Sequence, residues 1–346
     1  MSKRPKPPAT LKDAISLVSQ HNKETEEQVL RECRNCWDSD SPLSHDLLKK
    51  FAWFPSASRW LADFHPFYPV YDAMLQVETA YDILSEARKA LIELYGHYHA
   101  TLMYDGFSRT EEIGQKTTHE VFKYVFAATT LVQAYRRFDK AFPAGHEAYT
   151  AALAQSFHDR ELQAFVQRLR NCYGHQTLLR VEPWGKVKIG SATNVESSLI
   201  FDKEFLLGLK DAWNTEARSY LDRSEKLNVL EVVNKYHEMA SDLFLSYGSA
   251  TGAVHSVGFK EIVRCKQAIW VKRQCAALGM ILQIAKQQGA DPYKHLPKHF
   301  TKEEMERIQC FPSYSQEQVD YMISLRDPLG LCSGVLRREL YELFGC

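Results

Sequence analysis

The chain has 346 residues, 45% hydrophobic and 12% aromatic, against only 16 Gly and 13 Pro, which suits one large or two modest cores built of helices. Its 43 basic side chains balance 43 acidic ones, arguing against a polycationic grip on nucleic acid spread over the surface. Eight cysteines scattered along so long a chain do not make a disulfide framework, and no apolar run approaches a membrane span, so a cytoplasmic setting is expected.

In chain order, the first ten residues are basic and Pro-rich without the apolar stretch of a signal peptide, and read as a disordered tip. Short helices are expected to follow, closing on an aromatic, Pro-broken stretch, Phe51–Tyr71, that completes an N-terminal extension over 1–70. Its rings, Trp53, Phe54, Trp60 and Phe64 among them, are read as packing this extension onto the bundle rather than as base-stacking platforms.

Four apolar stripes at helical spacing come next. They are Val77–Tyr95, Val121–Tyr135, Leu162–Tyr173 and Val229–Tyr247, each wide enough to bury against neighbouring helices. Between the third and fourth, residues 178–201 lose the helical period. Leu178, Val181, Val187 and Ile189 suggest short strands around a turn-like Pro183-Trp184-Gly185. Asp202 is a good N-cap, and Trp213, Ala217 and Leu221 carry the apolar side of the helix beyond it. A further helix over 258–287 carries Ile262, Cys265, Ile269, Ala276, Met280 and Ile284. Residues 289–346 read as a C-terminal extension of three short helices, with capping-box signatures at Thr301–Glu304 and Ser315–Gln318. The expected fold is all-α: an up-down helical bundle over 71–288 with a small extended or β insert and helical extensions at both ends.

One motif carries chemistry. The third stripe ends Arg168-Leu169-Arg170-Asn171-Cys172-Tyr173-Gly174-His175. In a chain of this composition Arg-Asn-x-x-x-His arises by chance about 0.015 times, and the looser Arg-x4-His about 0.8 times, so the Asn gives the motif its specificity. Arg170-Asn171…His175 resembles the signature of the HEPN superfamily, an Arg commonly followed by Asn, then His after four to six residues, near a helix end. Beyond His175 the chain also resembles a group of bacterial HEPN-like proteins: an extended insert, a helix with Ala212-Trp213, then a helix with Tyr236-His237. The resemblance covers roughly 72–248 and neither extension.

It implies metal-independent cleavage of RNA with no cofactor, a homodimer that pairs two motifs, and a defence or toxin setting with a cognate antitoxin or other partner. The residue types suit that chemistry. Histidine exchanges protons near neutral pH, so His175 is the candidate general acid or base for a ribose 2′-OH. The guanidinium of Arg170 is suited to stabilising a phosphorane, and Asn171 to orienting the ring or a phosphate oxygen. Arg168 and Arg180 are the candidate RNA contacts, within a local surplus of six basic to three acidic residues over 156–190.

Helix geometry complicates the pairing. Five residues at about 100° each put Arg170 and His175 about 140° apart on a straight helix, whereas Arg168, Asn171 and His175 share a face. Either Gly174 ends or bends the helix, or a second subunit completes the site, and Arg168 competes for the Arg role. A cap on the helix's last carbonyls is the non-catalytic alternative.

Other candidates read as structural. Arg59 and His65, separated by five residues, also fall within the family's spacing, but Pro66 follows and no helical stripe surrounds them. Cys33-x-x-Cys36 lacks a second ligand pair for a metal. His97 and His99 end a helix, and Arg136-Arg137 is read as a solvated helix end with a possible phosphate contact.

Overall fold

The structure, a computed structural model, describes residues 11–105, 109–175, 181–188, 194–209, 212–254, 256–289 and 291–346. The N-terminal tip, Leu178, Arg180 and Ile189 lie outside the described residues, as do the side chains of Tyr173, His175 and Met280. Among the described residues the fold is all-α apart from one β-hairpin. Among the described residues, no helix is long and apolar enough to cross a membrane.

In chain order the helices are α1 (Leu11–Asp38), α2 (His45–Trp53), α3 (Ala57–Phe64), α4 (Tyr68–Asp105), α5 (Thr110–Ala141), α6 (His146–Ser156) and α7 (Arg160–His175). The hairpin β1 (Val181–Lys188) and β2 (Asn194–Phe201) comes next. Then come α8 (Lys203–Gly208), α9 (Thr215–Arg223), α10 (Val229–Val254), α11 (Ser256–Gln288), α12 (Lys302–Ile308), α13 (Gln316–Arg326) and α14 (Gly334–Phe344). Contacts divide the chain into two compact units, one from residues 69–255 and the other from the described residues on either side.

In the central unit the four sequence stripes are the buried faces of α4, α5, α7 and α10. Aromatic residues dominate its core because each ring removes a large apolar area from water. Tyr135, Phe138 and Tyr149 crowd around Tyr247, and Tyr81 stacks flat on Phe244 at 4.3 Å. Buried hydroxyls need partners, and Tyr124 donates to the Val233 carbonyl at 2.9 Å. On the buried face of α7, Phe165 stacks on Trp213 and Tyr220, while the Trp213 Nε1–H donates to the Leu206 carbonyl. The Ala212-Trp213 pair is therefore a packing element, preceded by the short α8 that Asp202 caps through the Phe205 N–H. Tyr236 is fully buried, and His237 packs beside Tyr81 with its basicity lowered by burial.

The hairpin is antiparallel, with Val181 opposite Phe201 and Lys188 opposite Asn194. Pro183-Trp184-Gly185, expected as a turn, lies inside β1 instead. A two-stranded ribbon has only edges, where a proline's missing N–H costs no ladder bond on the open side. β1 seats on α5, where the Val181 N–H donates to Thr118 Oγ1 at 3.3 Å.

The second unit combines the N-terminal helices with α11–α14. Its first helix is one long element of 28 residues rather than several short ones. Side-chain pairs four apart, Gln20–Glu24 and Gln28–Glu32, support its exposed faces, and Val29, Cys33 and Trp37 form its buried stripe. α11, grouped with the bundle on sequence, is held to the segment before α2 by Glu261, which accepts from the Leu43 N–H, and by Arg264, which donates to the Leu43 carbonyl. Ile262, Cys265 and Ile269 are buried, but Ala276 and Ile284 face solvent. The Thr301–Glu304 capping box is complete. At α13 only half forms: Ser315 caps Gln318, whose buried amide instead joins Ile308 and Tyr293.

Candidate functional site

α7 begins at an Asp159 cap, whose carboxylate accepts from the Leu162 N–H at 2.9 Å. Leu162, Phe165, Val166, Leu169 and Cys172 then bury one side of the helix. This phase fixes what the motif residues face. Arg168 and Asn171 flank the stripe half-buried, while Arg170 is exposed on its other flank. Its guanidinium lies over the Phe126 ring on α5, 5.8 Å from the centroid, in a cation–π contact. Phe126 is in turn braced by Phe122, with ring centroids 4.4 Å apart.

Arg170 there forms part of the wall of an open groove of about 630 Å³ between α4 and α5. Thr79 and Ile83 stand on the α4 side, with Phe126, Thr130, Gln133 and Arg137 on the α5 side. Two guanidiniums thus face one cavity with a single carboxylate, Asp72, which accepts from Gln76 at 2.9 Å. Among the described residues neither Arg137 nor Arg170 has an ion-pair partner. Arg137, weighed on sequence as a solvated helix end, is brought to the groove that holds Arg170.

The helix runs through Gly174 to His175 without a break. A helix end ahead of the histidine, one of the two remedies for the 140° separation, is therefore not what the backbone adopts. Arg180 lies outside the described residues. Cys172, inside the motif, is buried with its thiol pushed up to about 11, so it stays protonated and is no nucleophile at neutral pH.

The remaining sequence candidates take structural places. His65 is buried and accepts from the Phe67 N–H, while Arg59 pairs with Asp63 in solvent. Burial pushes the Cys33 thiol up to about 12, and no group of His, Cys, Asp or Glu able to hold a metal ion occurs among the described residues. His99 bonds the Ser197 hydroxyl at 2.9 Å and helps hold β2 to α4. What the sequence did not single out is the α5 wall beside Arg170, formed by Phe126, Thr130 and Gln133. Its only signal was the i, i+4, i+7 spacing of these three on α5, beside the buried stripe.

The chain matches no family model, no curated protein and no solved structure.

Proposed function

We propose that the chain is a metal-independent endoribonuclease of HEPN type, acting as a homodimer in the cytoplasm. The observation that carries this reading is the placement of Arg170, exposed on the wall of an open groove rather than sunk in the core. In the cleavage step His175 removes the proton of a ribose 2′-OH or supplies one to the leaving 5′-oxygen. The attacking oxygen bonds to phosphorus, the P–O5′ bond breaks, and a 2′,3′-cyclic phosphate remains. Arg170 stabilises the charge on the phosphorane, and Asn171 orients the imidazole or a phosphate oxygen. A continuous α7 keeps Arg170 and His175 about 140° apart on one chain, which supports pairing Arg170 of one protomer with His175 of another in each site.

A defence or toxin role with an antitoxin partner accompanies this reading. Purified protein should cut RNA in EDTA and leave cyclic phosphate ends, and its expression should slow growth unless His175 is replaced. Equal cleavage by His175→Ala would sink the proposal. A second reading, a non-catalytic RNA-binding bundle, is favoured by one observation: the Arg170 guanidinium rests on Phe126, held in the groove. RNA binding without cleavage would establish that reading instead.

A further inference from the structure

The groove between α4 and α5 extends the motif in one direction. Phe126, where Arg170 rests, and Arg137 stand on the same helix, both on the groove wall. Eleven residues at the rise of an α-helix separate them by about 16 Å. That span exceeds the reach of one phosphate and suits a few nucleotides of extended single strand. Between the two cations the wall is neutral and hydrogen-bonding, with Thr130 and Gln133, and the Phe126 ring offers an apolar surface at one end.

We propose that this groove is the track for single-stranded RNA. Arg137 binds a backbone phosphate a few nucleotides from the phosphate held by Arg170, and Gln133 and Thr130 contact the intervening sugars and bases. The inference rests on the ribonuclease reading and gives it a substrate class: unpaired RNA, gripped by its backbone with little sequence preference. Arg137 binds and positions the strand without touching the reacting atoms.

The test is fluorescence anisotropy of a labelled single-stranded RNA in EDTA, with the full-length His175→Ala protein as background. Arg137→Gln should weaken binding about tenfold and flatten the dependence of log K on log salt by about 0.7, the loss of one phosphate contact on a single strand. Arg136→Gln removes the same charge from an exposed neighbour that does not line the groove, and should change affinity less than about twofold. Unchanged binding by Arg137→Gln, or equal losses in both variants, overturns the track while leaving the ribonuclease reading in place. Failure of the parent protein to bind or cut any RNA overturns both.

Discussion

His65 shows what burial does to a single titratable group. Its ring lies against Trp37 at 5.2 Å, its Nδ1 accepts from the Phe67 N–H, and desolvation lowers its pKa to about 4, with Asp40 pulling the other way. The sign is set by proton uptake. Between pH 6.5 and 4 the unfolded chain binds a proton that the folded form refuses, so stability rises with pH across that window. The contribution is complete above about pH 6.5 and falls by up to about 3 kcal/mol as pH drops toward 4. Denaturant midpoints measured from pH 7 to 4 should decline, and His65→Asn, which keeps an acceptor but does not titrate, should decline less steeply. An unchanged slope in that variant would assign the acid sensitivity to other groups. The same residue shows how far a motif can be read from sequence. Pro66 and the missing stripe sufficed to set Arg59…His65 aside. That Arg170 rather than Arg168 lines the groove is visible only with the α5 surface, because the side chain that Arg170 meets, Phe126, is 44 positions upstream.

At the scale of elements, periodicity located the helices because each one buries a face. Val121, Tyr124, Val125, Ala128, Leu131 and Tyr135 on α5 are buried as their spacing requires. Local signals misled where tertiary packing overrode them. Pro183-Trp184-Gly185 has turn chemistry but extends, since β1 gains its seat on α5 by staying straight. Gly114 marks that seat. A Cβ placed there would lie 2.9 Å from the Val181 carbonyl oxygen and 3.1 Å from Pro183 Cδ. In an isolated helix interior, Gly→Ala gains about 1 kcal/mol. Here the methyl would push against backbone, and overpacking of this kind costs about 1–3 kcal/mol. Packing should outweigh propensity, so Gly114→Ala is expected to destabilise the protein by about 1 kcal/mol in chemical denaturation. A stabilised variant would mean that β1 does not rest on α5 in solution.

For the whole molecule, the grouping of its ends was the least legible feature. Leu43 and Glu261, joined by a buried hydrogen bond, are 218 positions apart, and no local pattern announces such a pair. The motif raises a matching question one level up, between chains. On one continuous α7 the two motif ends face about 140° apart, so the proposed site needs Arg170 from one copy and His175 from another. This has a quantitative consequence. Arg170→Ala and His175→Ala should each be inactive alone. When the two are unfolded together and refolded at equal amounts, half of the dimers are mixed, and each mixed dimer holds one intact Arg–His pair and one doubly broken pair. RNA cleavage should then recover to roughly a quarter of the wild-type rate. A site confined to one protomer gives no recovery, because every chain in the mixture lacks one of its own two groups. Dimers confirmed by light scattering but without recovered cleavage would therefore reject the shared site.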